Sequence, residues 1–131
     1  MGNSALFYKS VNGIFEQKCA SYEETNGRIV GHIRGRNNCK CALGQLIDDK
    51  DFNGQEGDLA VAHPMIAKST KQQILGTAMY SILHGLQLAH DGSIIQVIDG
   101  REVINSDEKF LELFMEKAAR IAKAYDLVYQ P

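Results

Sequence analysis

The chain has 131 residues, 44% apolar and 23% charged, with a formal charge of −2, enough to bury one domain's core without metal or disulfide staples. So small a net charge excludes a global field that would draw nucleic acid or an anionic membrane, and leaves only local patches to weigh. No apolar run reaches the roughly 18 residues of a spanning helix, and no basic stretch followed by an apolar one opens the chain, so a cytoplasmic protein without membrane span or secretory signal is expected.

Three cysteines, Cys19, Cys39 and Cys41, are an odd number, and two are separated by one residue. That pattern reads as free thiols in a reducing compartment. In chain order, Phe7, Val11, Ile14, Phe15 and Cys19 recur at helical spacing and predict a helix over 6–19, with Ser4 as cap and Gly13 as a weak point. Residues 21–27 are polar and turn-like, and 28–34 have the β-branched content of a short edge strand. A turn is expected at 35–38, then a short apolar helix over 41–47 that runs into acidic Asp48 and Asp49. Gly54 and Gly57 mark a loop. Pro64 interrupts the apolar stretch 59–68, so at most a broken or very short helix is expected there.

Ser69 and Gln72 have the spacing of a capping box, and Ile74, Leu75, Ala78, Met79, Ile82, Leu83, Leu86 and His90 trace one face of a helix over 70–91 that Gly92 ends. Residues 93–98 and 101–104 flank Asp99-Gly100, a pair that tolerates the positive φ angles of a tight hairpin turn. Asn105 and Glu108 are the expected caps of a final helix over 107–125, with Phe110, Leu111, Phe114, Ala118, Ile121, Ala122 and Tyr125 on one face. Its charges agree with the helix dipole, and Glu116 precedes Arg120 by four.

Several motifs invite chemistry. Asp49-x-Asp51-x-Asn53-Gly54 reproduces the first half of a calcium loop, but Ala60 stands where a bidentate glutamate belongs and Glu56 where an apolar residue does. An acidic solvated turn is the expectation, and no metal or cofactor is expected. Cys39 and Cys41 with His32 are soft or borderline ligands, yet a one-residue gap departs from zinc-site spacing. Cys41 near Arg36 and Lys40 at a helix start is a candidate thiolate nucleophile, with His32 or His90 as base; an isolated cysteine in an apolar run is more often a small core residue. His90 followed by Asp91 has the form of a catalytic pair, but a histidine in a helix's last turn is also favoured by the dipole, and a structural histidine is the expectation. His84 falls on the polar face, and His63 before Pro64 reads as a loop residue.

Arg28, Arg34, Arg36 and Lys40 form a basic stretch, and Asp48, Asp49, Asp51, Glu56 and Asp58 an acidic one. Arg34, Arg36 and Lys40 are the candidate anion-binding residues. Neither aromatic stacking residues nor a glycine-rich phosphate turn accompanies them, so mutual pairing or a solvated face is expected. No nucleophile elbow, P-loop or dinucleotide fingerprint occurs.

The stretch Lys40-Cys41-Ala42-Leu43-Gly44-Gln45-Leu46-Ile47-Asp48, followed by Leu86-Gln87-Leu88-Ala89-His90-Asp91 and a closing amphipathic helix, resembles small uncharacterised proteins of bacteriophages and bacterial mobile elements. These carry K-C-A-[IV]-G-x-L-I-x-D and then L-Q-x-x-H-D; Leu43 replaces the β-branched residue here. The resemblance covers about two thirds of the chain. It implies an accessory role in such an element and draws attention to Cys41, His90 and Asp91.

These observations lead to an α+β domain spanning residues 1–131, predominantly helical, with a small antiparallel sheet made of an edge strand and a hairpin. Cys41, Ala42 and Gly44 are small enough for close approach to a neighbouring element, and His90 is expected to lock the end of the long helix against that turn. The functional expectation is a non-enzymatic protein that binds a macromolecular partner, a protein before nucleic acid, with a homodimer left open. The competing class is a small enzyme or redox sensor using the Cys41 thiol with His90.

Overall fold

The computed structural model describes residues 2–129. Helix α1 spans Asn3–Gln17 and buries Leu6, Phe7, Ser10, Val11 and Ile14. Its cap is Gly2 rather than Ser4, whose hydroxyl accepts from the Val128 N–H at 3.1 Å and ties the two ends of the chain together. The helix runs through Gly13, whose missing Cβ leaves room for the Gln45 amide. Lys18, left-handed at φ 63°, closes α1 by donating to the Ile14 carbonyl.

Strands β1 (Tyr22–Thr25) and β2 (Arg28–Gly31) pair antiparallel, with Tyr22 opposite Gly31. The expected polar turn over 21–27 is thus itself mostly strand. The connecting Asn26 and Gly27 both have positive φ, 53° and 76°, which is the geometry a two-residue hairpin needs. The 41–47 segment is not a helix. It descends through an isolated bridge between Arg34 and Lys40 into a single 3-10 turn at Gly44–Leu46.

Helix α2 spans Leu59–Thr70 and runs unbroken through Pro64, correcting the expected interruption. Proline removes the 64-to-60 hydrogen bond at a cost of about 3 kcal/mol. Burying Leu59, Ala62, Met65 and Ile66 offsets it, since each large apolar side chain contributes about 1.5–3 kcal/mol. Asp58 caps the helix by accepting from Ala60 N–H at 3.0 Å. His63 therefore lies in a helix, its ring 5.8 Å from that of Tyr80. The predicted helix over 70–91 is divided: α2 ends at left-handed Lys71 (φ 56°), and α3 begins only at Ala78 and runs to Asp91. Ser69 is no cap; its hydroxyl accepts from Asp48 N–H and donates to the Asp51 carboxylate, both at 2.8 Å.

Strands β3 (Ile95–Ile98) and β4 (Arg101–Ile104) form the expected hairpin, with Asp99 at φ 51° and Gly100 at φ 77°. They make a second two-stranded sheet, separate from β1–β2. Helix α4 spans Asp107–Ala124 and is capped by Ser106, whose hydroxyl accepts from Lys109 N–H, instead of by Asn105 and Glu108. Asn105 turns inward and donates to the Ser93 carbonyl at 2.8 Å. Helix α4 packs on α1 and α3, and Phe7, Phe110 and Phe114 are the largest fully buried side chains. The architecture is helical α+β around one contiguous apolar core. Among the described residues no helix is long and apolar enough to cross a membrane.

Candidate functional site

The two stretches carrying Cys41 and His90 both end in the interior. The apolar face of α3 carries Met79, Ile82, Leu83, Leu86 and Ala89 inward, and His90 follows them into full burial. Its Nε2 accepts the Ser21 backbone N–H at 3.0 Å, so Nε2 bears a lone pair and the ring proton resides on Nδ1. That N–H donates to Asp91 Oδ1 at 2.8 Å. The ring meets Phe110 edge-on at 5.3 Å. One imidazole thereby joins the end of α3, the segment entering β1 and the first turns of α4. Gly31 allows Asp91 to approach, because a Cβ there would strike its carboxylate.

Cys41 is also buried. Its N–H donates to the Ile33 carbonyl at 3.1 Å, and Gly44 N–H points at its sulfur at 3.4 Å. Burial pushes the thiol from 9.0 up to about 12, against a smaller lowering from the Gly44 hydrogen bond. A thiol shifted up stabilises the fold while it stays protonated, and loses that contribution only as pH rises from the ordinary thiol range through its raised value. The thiolate reading loses its basis: no α-helix begins at Cys41, and burial first, then the Asp91 and Glu56 charges, favour the protonated thiol. Around it, Ser10 Oγ donates to the Ala42 carbonyl at 2.6 Å. Gly44 lies so close to the Ile33 carbonyl that a Cβ would overlap it. The motif builds a tight turn pressed against residue 33 on one side and α1 on the other. With both His90 nitrogens occupied, the ring offers Cys41 no free base.

Only Asp91 of the three candidate residues reaches solvent, in a shallow pocket of about 370 Å³ shared with His32, Glu56, Asp58 and Gln87. None of the lining residues carries a hydroxyl or a thiol. Two of the carboxylates are committed to backbone. Glu56 accepts from Ile33 N–H and, at 3.1 Å, from Arg34 N–H, while Asp58 caps α2. Glu56 stands in the acidic stretch, but its clamp on the backbone has no local signal, because it depends on the chain returning to residue 33. Sequence reasoning missed Gln17 for the same reason: Gln17 accepts from Lys40 N–H at 3.0 Å and donates to the carbonyls of Lys40 and Cys19 at 2.6 and 2.8 Å.

The incomplete calcium loop sends its oxygens to separate partners. Asp49 pairs with Arg34 at 2.5 Å and Lys40 at 3.4 Å, Asp51 with Ser69 and, at 3.7 Å, Lys68, and Asn53 accepts from Gln55 N–H. The Arg34 hydrogen bond first, then Lys40, holds the Asp49 carboxyl below its ordinary value. What that pair contributes is present above the ordinary carboxylate range and fades as pH falls through the lowered value. Among the described residues no group of three or more His, Cys, Asp or Glu could hold a metal ion.

Of the anion-binding candidates, Arg34 and Lys40 flank a cleft of about 530 Å³ with Gly35, Asn38 and Asp49, and the Asp49 carboxylate bridges the two cations. Arg34 also donates to the Ile47 carbonyl and lies over the Phe52 ring at 4.7 Å, an aromatic contact that the local sequence did not disclose. The side chain of Arg36 lies outside what the structure describes.

Two further features were not read from the sequence. Cys19 and Cys39 form a disulfide with Cα atoms 6.1 Å apart, so only Cys41 remains a free thiol and the expectation of three is overturned. The β3–β4 hairpin, in turn, leaves Val97 69%, Ile98 47%, Val103 39% and Ile104 39% exposed. Its register places Val97 and Ile104 on one face and Ile98 and Val103 on the other. The geometry defines an α+β protein with a buried polar joint and an apolar hairpin outside it. Searches of protein-family models, curated proteins and solved structures give no match to this chain.

Proposed function

We propose that the protein is non-enzymatic and acts by binding a protein partner through the β3–β4 hairpin, as an accessory protein of a phage or mobile element in the cytoplasm. The observation that carries this reading is the exposure of four β-branched residues on both faces of a two-stranded sheet. A two-stranded sheet alone is marginal in water, and this one is closed at its base by Asn105, which donates to the carbonyls of Ile94 and Ser93, both at 2.8 Å. Open strand edges accept another strand readily, and solvent-facing apolar side chains supply the anchors for it. The competing enzyme reading loses its support, because thiol and imidazole are both buried and both engaged. The phage or mobile-element setting rests on the two motif stretches, and the cytoplasmic setting on the sequence reading.

The test is the double substitution Val97→Thr/Ile98→Thr, which keeps β-branching and removes apolar surface. Stability is expected to stay within about 0.5 kcal/mol. Affinity for whatever partner the wild type retains, a second copy included, is expected to fall at least about tenfold, as for loss of an interface anchor. Undiminished binding by a folded double variant would overturn the hairpin as the docking element.

A further inference from the structure

We propose that the Cys19–Cys39 disulfide is a thiol-exchange site: a small thiol of the glutathione class opens it at Cys19, and opening frees the 35–39 segment that walls the Arg34–Lys40 cleft. The two cysteines differ in access, Cys19 being half-buried and Cys39 buried. Nucleophilic attack therefore falls on the Cys19 sulfur, which leaves Cys39 as the departing thiolate. The proposal rests on the cytoplasmic setting proposed above, where a disulfide is ordinarily a transient or sensing one. The segment it holds is a short turn closed by Gly35 N–H donating to the Cys39 carbonyl at 3.0 Å. Asn37 and Asn38 are successive residues in the left-handed region, at φ 54° and 59°, a conformation asparagine tolerates better than other side chains, so that the segment is a tight turn outside any regular helix or strand.

The surroundings confine the motion. The bridge between Arg34 and Lys40 closes the segment at its base, and Gln17 grips both backbone groups of Lys40. Behind it, Ile33, Leu43 and Leu46 are buried. The third cysteine stays out of the exchange, since Cys41 is enclosed and its sulfur accepts from Gly44 N–H. Gly35 and Asn38 line the cleft, so releasing them reshapes its wall while Arg34 and Lys40 keep Asp49. The chemistry balances. A first thiolate attacks the Cys19 sulfur to form a mixed disulfide and expel Cys39, which takes up a proton. A second thiol then releases Cys19 as a thiol. The protein disulfide gains two electrons, and two small thiols leave as their own disulfide.

The experiment incubates the oxidised protein in a millimolar glutathione buffer near neutral pH. After acid quenching, peptide masses and amide hydrogen exchange are read. A glutathione adduct is expected on Cys19 and none on Cys39 or Cys41. Exchange in 35–39 is expected to rise at least about tenfold while α3 and α4 stay protected. The variant Cys19→Ser/Cys39→Ser should show the same fast segment without glutathione. An intact bond, an adduct on Cys39, an unchanged segment in the variant, or opening that spreads into α3 and α4 would each overturn the proposal; the last would make the bond a global staple.

Discussion

Replacing His90 by alanine is expected to lower the urea midpoint by the equivalent of about 4 kcal/mol with little change in slope. Three losses add up at that position. Ser21 N–H, buried and now without an acceptor, costs about 1–3 kcal/mol. The Asp91 carboxylate loses the donor 2.8 Å away. The vacated space beside Phe110 loses a ring-sized contact that neighbours refill only in part. A domain of this size is stable by only about 5–15 kcal/mol, so the variant sits near the edge of folding. His90→Gln should recover part of the loss, because its amide oxygen can accept from Ser21 N–H. An unchanged midpoint together with lost partner binding would instead move His90 from the fold to the function.

Gly44→Ala is expected to cost about 2–3 kcal/mol, within the range for overpacking a filled interior. The physical cause is contact and not conformation: the new Cβ meets the Ile33 carbonyl and, at 3.1 Å, the Lys40 side chain. A backbone oxygen cannot swing aside as a flexible side chain can. The same carbonyl accepts from Cys41 N–H, so moving it strains the turn on both sides. Gly85→Ala supplies the contrast. There the Cβ finds only the Ile121 side chain at 3.4 Å, in the middle of α3, and helix propensity should make it stabilising by about 0.5–1 kcal/mol. Equal effects at the two glycines in thermal or urea unfolding would contradict the packing argument.

Features specified by residues near one another were legible in the sequence. The rhythm of Phe110, Phe114 and Ala118 marks α4, and Asp99-Gly100 marks the β3–β4 turn, because both signals lie within a few residues of the structure they specify. The inward placement of His90 was legible because it continues the apolar face of α3 into the last turn. The division between α2 and α3 was not. Ser69 and Gln72 have cap spacing, but Ser69 is recruited by Asp48 and Asp51 from a distant turn. Pro64 misled in the opposite direction, since its local cost is offset by burial that no local window contains. Asn26-Gly27 was a usable hairpin signal, hidden by the polar Glu23-Glu24-Thr25 strand before it. The disulfide and the Gln17 and Glu56 clamps join residues 20 to 23 positions apart, and pairing at that distance leaves no periodic trace.

What unites these observations is the use of the polar motif residues as joints of the interior. Native-state alkylation of Cys41 tests that most directly, since it is the single free thiol when the disulfide is intact. At neutral pH the reaction is expected to run at least about a thousandfold slower than in the unfolded chain, and to accelerate only as denaturant approaches the global midpoint. A rate in the native protein close to that of an exposed cysteine would contradict the account.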